Sequence, residues 1–239
     1  MWRLRSSLLI ISVVLYTLFF GLLAILISVL DRKGNVLQRI AVLWARMIIW
    51  TNFIKVTLSC EGDPGPGPYV IISNHQSYLD IPALLVRLPF NYRMVAKKEL
   101  FRIPVFGWGM KLAGYIEVDR SDSRKAIQGM SAAEHQLSEG RSVVIFPEGT
   151  RSRDGNLLPM KKGAFVLALK HKAPILPVTV HGSFRILPKG TLRMGSSEIR
   201  VHLGKPIPTA GKTHESRDEL KLLVESWMKK TLSEFNQSS

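Results

Sequence analysis

The chain has 239 residues, enough for one globular domain and a short anchor, and its formal net charge at pH 7 is +15. A balance this basic favours a polyanionic partner, namely nucleic acid, an anionic membrane face or phosphorylated small molecules. The single cysteine, Cys60, excludes an internal disulfide and a C-x-x-C metal pair, and it indicates a reducing compartment.

The N-terminal region is apolar. Residues 6–30 carry no charge, and a helix over Leu8–Leu30 would be about 34 Å long, enough for a hydrocarbon core of about 30 Å. The charged triplet Asp31-Arg32-Lys33 follows directly. An uncleaved membrane anchor is therefore favoured over a cleaved signal peptide, whose apolar core would be shorter and end at small residues.

The segment Ile40–Cys60 is apolar but interrupted by charge. Arg46 makes a second spanning helix costly, so we expect an interfacial helix with Trp44 and Trp50 near the lipid headgroups. Lys and Arg flank the first apolar run on both sides, which weakens any argument about orientation. A helix that spans the bilayer and one that dips into a single leaflet both fit the sequence.

The turn-rich segment 61–68, rich in Gly and Pro, marks a boundary between an anchor at residues 1–60 and a folded domain at residues 61–239. Beyond it, strands alternate with amphipathic helices. Strands are predicted over Tyr69–Ile72, Tyr92–Val95, Tyr115–Val118, Val143–Phe146, Ile175–Val180 and Glu198–Leu203, and helices over Leu79–Leu88, Pro104–Leu112, Asp122–Leu137, Gly163–Lys172 and Ser216–Phe235. This order predicts an α/β fold, with a central mixed sheet covered by helices.

A histidine and an aspartate flank the junction between the first of these strands and its helix. Five residues along a continuous helix would place His75 and Asp80 about 140° apart, so they touch only if His75 lies in the turn. A neutral imidazole can take a proton near pH 7, and a carboxylate on its second nitrogen fixes the tautomer. The spacing alone also fits a hydrogen-bonded loop histidine and a solvated aspartate.

The segment Phe146–Ser152 reads Phe-Pro-Glu-Gly-Thr-Arg-Ser and opens a long polar loop. Gly149 permits a close approach of the backbone to a ligand, and Arg151 offers a planar donor fork suited to phosphate. Thr150 and Ser152 add hydroxyl groups. These residue types predict an anion-binding loop, although an exposed turn would carry similar residues.

Two further segments carry weaker signals. Gly114–Arg120 is a strand that ends in an acid and a base, so Arg120 could bind phosphate or pair with Asp119. Ile175–Val180, which contains Pro177, fits a buried strand of the core.

The four segments occur in a fixed order over roughly residues 70–182, and together they resemble the motif set of the glycerolipid acyltransferase superfamily, especially its 1-acyl-glycerol-3-phosphate acyltransferases. The resemblance implies that His75 and Asp80 are the catalytic pair. Tyr78 stands where relatives often have Trp or Phe. The implied substrate-binding residues are Arg120, Glu148, Gly149, Thr150, Arg151 and Pro177.

The resemblance implies transfer of a fatty acyl group from acyl-CoA or acyl-ACP, as co-substrate, to the free sn-2 hydroxyl of lysophosphatidic acid, giving phosphatidic acid. His75 would act as general base and no acyl-enzyme would form, since the substrate hydroxyl is the nucleophile. The sequence shows no G-x-S-x-G elbow and no metal-ligand cluster, so neither a cofactor nor a metal is expected. The expected partners are the acceptor, the donor and the lipids of an anionic leaflet, with the catalytic domain on the cytoplasmic face, which in a bacterium is that of the inner membrane.

Two other readings stay open from the sequence. The motifs are shared by enzymes that acylate other lysophospholipids, glycerol-3-phosphate or lyso-amino-acid lipids. A membrane-tethered basic binding protein would need neither His75 nor Asp80, and its binding would depend steeply on salt. No recognised nucleic-acid motif is present, so a nucleic-acid partner is not expected.

Overall fold

The computed structural model of the chain describes residues 2–31, 33–119, 123–191 and 198–237. Within these ranges the strands are β1 (Lys55–Cys60), β2 (Val70–Ser73), β3 (Tyr92–Lys97), β4 (Ile116–Val118), β5 (Ser142–Ile145), β6 (Ile175–His181) and β7 (Glu198–Leu203). The helices are α1 (Trp2–Ile27), α2 (Asn35–Thr51), α3 (Asp80–Arg87), α4 (Lys98–Phe101), α5 (Phe106–Leu112), α6 (Ser123–Ser138), α7 (Gly163–His171), α8 (Ser183–Ile186) and α9 (Arg217–Gln237), with a 3-10 turn at His214–Ser216.

The strands form one sheet in the order β1-β7-β6-β2-β5-β3-β4. Neighbouring strands are parallel except β6 and β7, so the predicted mixed sheet is confirmed. β2 lies between β5 and β6, and its residue Ile72 pairs with Ile145 on one side and Pro177 on the other. The loops that leave the carboxyl ends of these parallel strands meet at one edge of the sheet, which is where α/β proteins place their ligands.

Helices cover both faces of the sheet, as the alternating pattern predicts. In β2, Ile71 belongs to the core shared with α2 and α3, whereas Val70 and Ile72 belong to the core shared with α6, α7 and α9. Successive strand side chains point to opposite faces, so a strand buried on both faces is apolar at most of its positions. The four residues of β2 are all buried, and its first three are apolar.

The helix α1 confirms the predicted apolar helix at the N-terminus. Its segment Arg3–Ile27 is long and apolar enough to cross a membrane, and only 11% of the most apolar window is buried within the protein. Its exposed face is large and apolar, with Leu4 78%, Phe19 63% and Leu26 74% exposed. Exposed apolar surface of this extent indicates contact with lipid or another apolar partner.

The interpretation of Ile40–Cys60 as one interfacial helix is wrong after Thr51. The helix α2 ends there, and Phe53 adopts a left-handed backbone conformation with φ of 53°. The following residues form β1, in which every residue pairs with β7. Pairing with a partner strand far along the chain outweighs the local helical pattern. Residues 55–60 thus lie in the sheet, while the division of the chain at residues 60 and 61 stays a prediction.

A buried arginine fastens the turn between α1 and α2 to the sheet. Arg93 of β3 is fully buried and donates hydrogen bonds to the Lys33 carbonyl at 3.0 Å, the Asn91 side chain at 2.9 Å and the Tyr92 carbonyl at 2.9 Å. Burial lowers the pKa of the Arg93 guanidinium to about 10, so it stays charged at neutral pH. This contact holds the N-terminal helices against the α/β domain.

Candidate active site

The turn between β2 and α3 brings the predicted pair together. β2 ends at Ser73 and α3 begins at Asp80, so His75 lies in the turn, as the angular argument requires. His75 Nδ1 is 2.7 Å from Asp80 Oδ2. The Asp80 side chain is fully buried, and the His75 side chain is 12% exposed. The pair therefore has a protected carboxylate and a ring that reaches the surface.

Asp80 is oriented by more than the histidine. The same oxygen, Oδ2, accepts hydrogen bonds from the backbone N–H of Gln76 at 2.7 Å and of Ser77 at 2.9 Å. Three donors on one oxygen fix the carboxylate, and the carboxylate fixes the imidazole ring. A neutral His75 that donates from Nδ1 carries its lone pair on Nε2. Within the described ranges no hydrogen bond occupies Nε2, so this atom is available to take a proton.

The Phe146–Ser152 loop supports the His75 turn from the other side. The His75 ring stacks on Phe146, with centroids 4.2 Å apart and planes 20° apart. The His75 N–H donates to Glu148 Oε1 at 2.6 Å, and the His75 carbonyl accepts from the Ser152 N–H at 2.9 Å. Two of the sequence motifs thus form one rigid unit around the imidazole.

Glu148 is buried, and both of its carboxylate oxygens accept hydrogen bonds from backbone N–H groups. Oε1 accepts from His75 and Oε2 accepts from the Leu158 N–H at 2.8 Å. Burial raises the pKa of the Glu148 carboxyl to about 7, with the negative charge of Asp80 acting in the same direction and the two N–H donors against it. The carboxyl group thus fixes His75, while substrate binding by Glu148 stays a prediction.

Sequence reasoning missed Asn74 as a site residue. Its side chain accepts from the Val180 N–H at 2.7 Å and donates to the Val180 carbonyl at 2.9 Å, so it ties the turn to β6. The neighbouring Ser77 hydroxyl donates to the Leu187 carbonyl at 2.8 Å. Both side chains are buried. In the sequence Ser77 is marked only by a run of polar residues directly after a buried strand, whereas Asn74 is also the first residue of the segment Asn-His-x4-Asp that contributes to the family resemblance.

Arg151 and Thr150 lie on the surface beside the turn. The Arg151 guanidinium carbon is 3.5 Å from the centre of the Tyr78 ring, a cation–π stack that holds the guanidinium plane. Thr150 Oγ1 accepts from Lys189 Nζ at 2.8 Å. The stacked guanidinium keeps its edge N–H groups free of the ring, in the arrangement that suits a phosphate.

Gly149 adopts a left-handed conformation with φ of 73°, and an added Cβ would lie 3.3 Å from Lys161 Cε. The glycine therefore lets the loop bend and lets the Lys161 side chain lie along it. Pro177 lies elsewhere: it is buried within β6, and its carbonyl accepts from the Gly204 N–H at 2.9 Å. It belongs to the sheet beneath the site.

The remaining predicted residue, Arg120, lies outside the described residues. Its neighbour Asp119 is buried at the end of β4 and forms an ion pair with Lys98. In the described part of the chain, no group of three His, Cys, Asp or Glu side chains is placed to hold a metal ion.

An apolar cleft lies between the N-terminal helices and the α/β domain. Ile81 and Leu85 of α3 line it, and Ile81 directly follows Asp80 in the chain. The other walls come from the N-terminal helices, β3 and the α5 region, and include Phe20, Trp44 and Phe106. Its lining is almost wholly apolar, so it suits a hydrocarbon chain better than a polar ligand.

Comparison with known proteins identifies the family. The acyltransferase family model matches residues 57–181. A chloroplastic 1-acyl-sn-glycerol-3-phosphate acyltransferase of Brassica napus is 39% identical over 170 residues, which are 70% of this chain and 49% of that protein. The chain thus spans about half the length of this relative. The Saccharomyces cerevisiae 1-acyl-sn-glycerol-3-phosphate acyltransferase is 34% identical over 231 residues, which are 92% of this chain and 74% of the yeast protein.

A solved structure gives the same result. The crystal structure of the 1-acyl-sn-glycerophosphate (LPA) acyltransferase PlsC from Thermotoga maritima superposes with a TM-score of 0.80 at 26% sequence identity. The match covers 99% of this chain and 98% of the Thermotoga chain. The resemblance seen in the four sequence motifs is therefore confirmed, and the chain belongs to the acyltransferase family.

Proposed function

We propose that this protein transfers a fatty acyl group from a thioester donor to the free sn-2 hydroxyl of lysophosphatidic acid, giving phosphatidic acid. The observation that carries the proposal is the His75–Asp80 pair at 2.7 Å, with Nε2 directed away from the carboxylate. The names of the relatives in Brassica and yeast support the same acceptor. Arg151, stacked on Tyr78 beside the pair, supports an acceptor that carries phosphate.

In the proposed reaction His75 Nε2 accepts the hydroxyl proton while the hydroxyl oxygen attacks the thioester carbonyl carbon. The carbon–sulfur bond of the resulting tetrahedral intermediate breaks, and the thiolate that leaves takes the proton from the imidazolium. Asp80 stabilises the imidazolium and keeps the ring aligned throughout. The substrate hydroxyl is the nucleophile, so the acyl group passes directly from donor to acceptor.

Positioning supplies the rest of the rate. Arg151 would hold the acceptor's phosphate and so fix its hydroxyl close to Nε2, with Arg120 as a second proposed phosphate ligand. Glu148 would act by holding the His75 backbone. Gly149 and Thr150 would shape the loop that faces the glycerol.

We propose that the acyl chain of the donor lies in the apolar cleft lined by Ile81 and Leu85, because the lining is apolar and Ile81 directly follows Asp80 in the chain. Acyl-CoA and acyl-ACP present the same thioester to this site, so both are proposed donors. No chemistry in the proposed reaction requires a metal or a further cofactor.

We also propose that α1 and α2 lie within one leaflet of the membrane. Near the middle of α1, Ser12 accepts a hydrogen bond from Asn52 at the end of α2. Further along the helix, Gly21 packs directly against Val105, which precedes α5. A helix about 39 Å long whose middle and C-terminal parts pack against the rest of the protein does not stand across the bilayer as a free stalk. The basic surface and the anionic inner leaflet favour the cytoplasmic face.

The first experiment measures thiol release from acyl-CoA by the detergent-purified protein, with and without lysophosphatidic acid, and identifies the lipid product by mass spectrometry. We expect acceptor-dependent release that falls roughly 10²- to 10⁴-fold in His75→Ala. The matched control is His214→Ala, which removes an exposed histidine of the 3-10 turn. Full activity in His75→Ala would refute the assigned base.

An acceptor panel tests the substrate. Glycerol-3-phosphate, lysophosphatidylcholine and a lyso-amino-acid lipid are compared with lysophosphatidic acid, each with acyl-CoA and with acyl-ACP. We expect the highest kcat/KM for lysophosphatidic acid. A higher value for an acceptor without a phosphomonoester would contradict the proposed role of Arg151.

A further inference from the structure

Lys189 lies beyond the segment that the family model matches, which ends at residue 181. It follows the short helix α8, yet its ammonium reaches back to the Phe146–Ser152 loop. Lys189 Nζ is 2.8 Å from Thr150 Oγ1 and 3.0 Å from the Arg151 carbonyl oxygen. An ammonium group has three N–H donors, and these two contacts use two of them.

The position of this ammonium is fixed relative to the catalytic turn. Two residues before Lys189, the Leu187 carbonyl accepts the hydrogen bond of the buried Ser77 hydroxyl. Ser77 in turn donates its backbone N–H to Asp80. The segment 187–189 is therefore joined both to the His75 turn and to the loop that carries Arg151.

The charge of Lys189 is held by neutral oxygens. Over the described ranges no carboxylate lies within 4.0 Å of its ammonium, whereas Lys162 is 2.9 Å from Asp218 and Lys98 is paired with Asp119. A half-buried cation whose contacts are a hydroxyl and a carbonyl keeps its attraction for an anion, and Arg151, whose carbonyl it contacts, carries a second cationic group. A phosphate bound at the ammonium would satisfy the third N–H.

We infer that Lys189 binds the phosphate of the acceptor together with Arg151, so that the phosphate lies between an ammonium and a guanidinium. The inference rests on the proposed function. It makes Lys189 a substrate-binding residue contributed from outside the shared motifs. The ligand chemistry is a phosphate group, which both the acceptor and the CoA donor carry, and the kinetic experiment separates these two sources.

The test compares the wild type with Lys189→Met, which keeps the length of the side chain but removes its charge and donors. KM for lysophosphatidic acid and for acyl-CoA are measured separately at constant ionic strength. We expect KM for the acceptor to rise roughly tenfold or more, with kcat within about threefold and KM for the donor unchanged. Lys229→Met, which neutralises an exposed lysine of α9, is the charge-matched control and should change neither KM.

Glycerol-3-phosphate gives an independent readout, because it carries the same phosphate without the acyl chain. Its inhibition constant against lysophosphatidic acid should rise in Lys189→Met in parallel with the acceptor KM. Lys189→Arg should recover part of the loss, since it restores the charge. Should the methionine variant be too unstable to assay, Lys189→Gln and Lys189→Arg provide the same comparison.

Several results would overturn the inference. A rise in KM for acyl-CoA alone would show that Lys189 binds the donor. A fall in kcat with both KM values unchanged would show that Lys189 only holds the two loops together. An equal effect of Lys229→Met would reduce it to surface charge. A wild-type protein that does not acylate lysophosphatidic acid would refute the proposed function itself, and it is measured first.

Discussion

Among the described residues His75, His171 and His202 each lie within 4.0 Å of a carboxylate, and the contacts of His75 and His202 differ in burial and in the state of the second ring nitrogen. In the catalytic turn His75 Nδ1 is 2.7 Å from Asp80 Oδ2. On the outer strands of the sheet His202 Nε2 is 3.6 Å from Glu61 Oε1. The Asp80 side chain is fully buried, whereas 36% of the Glu61 side chain is exposed. Solvent screens the second contact but not the first.

The larger difference is the state of the second ring nitrogen. His202 Nδ1 is 2.7 Å from the Ser59 hydroxyl, and Nε2 faces Glu61, so both nitrogens have polar neighbours. The ring also stacks on Trp227, with planes 12° apart. In the described structure His75 uses only Nδ1. We propose that a nearby carboxylate alone does not make a histidine a general base. The proposed base differs from His202 in that its carboxylate is buried and oriented by two backbone N–H groups, and its Nε2 has no hydrogen-bond partner among the described residues.

The largest expected effect comes from removing the charge of Asp80. In Asp80→Asn the amide oxygen can still accept the two backbone N–H bonds, but the imidazolium loses its stabilising charge. We expect kcat to fall roughly 10²- to 10⁴-fold, with little change in KM for lysophosphatidic acid. Steady-state kinetics at saturating donor measure it.

Glu61→Gln is the matched control for that substitution. It removes the charge of the other carboxylate, and its kcat should stay within about twofold of the wild type because the contact is exposed. If the two variants lost activity to the same extent, the distinction between the two histidine sites would be wrong.

The second largest effect concerns the anchor of the catalytic turn. Asn74→Ala removes two hydrogen bonds and leaves the buried N–H and carbonyl of Val180 without partners. We expect a loss of about 2–5 kcal/mol in the free energy of unfolding, together with a lower kcat as His75 loses its position. The thermal midpoint in detergent reports the stability. Asn156→Ala, which alters an exposed asparagine, should leave that midpoint almost unchanged.

Glu148 predicts a pH dependence of stability. Its carboxyl has a pKa of about 7 in the folded chain against an ordinary value of 4.5, so between these values the folded state binds more protons than the unfolded state. Stability must then fall as pH rises from about 4.5 to 7, by up to about 3 kcal/mol from this group. Thermal midpoints measured from pH 4.5 to 8 show this slope.

Glu148→Gln should be less stable than the wild type at low pH and should lose the part of the slope that this carboxyl contributes. In the wild type both backbone N–H groups donate to carboxyl oxygens. In the variant the amide NH₂ would face one of them and leave it without an acceptor, which costs about 1–3 kcal/mol of stability. An unchanged slope in the variant would show that other groups cause the pH dependence.

Much of the fold follows from local patterns. The strands β2 to β7 are buried or alternating apolar runs bounded by turn residues, and each lies within about two residues of its predicted range. β1 was missed because its residues continue an apolar helix and its partner strand begins at Glu198, far along the chain. The short helices α4 and α8 were missed because four residues are too few to show a helical period.

The site was predictable only where its geometry is local. The bend that joins His75 to Asp80 spans five residues, so an angular argument could place it. The contacts that hold the turn are distant: Glu148 lies 73 residues from His75, Val180 lies 106 from Asn74 and Leu187 lies 110 from Ser77. Single-sequence patterns carry no information on such pairs, and a loop lysine such as Lys189 carries no motif of its own.

The smallest expected effect is the most direct test of the comparison. His202→Gln keeps a polar group near Ser59 and Glu61 but removes the imidazole, so any catalytic role of this ring would be lost. We expect kcat/KM for lysophosphatidic acid to change by less than about twofold, and the free energy of unfolding by about 1 kcal/mol or less, since the contacts are partly exposed. A tenfold loss of activity at an unchanged thermal midpoint would place His202 in the reaction. Burial of the carboxylate and an open Nε2 would then not be enough to identify the general base.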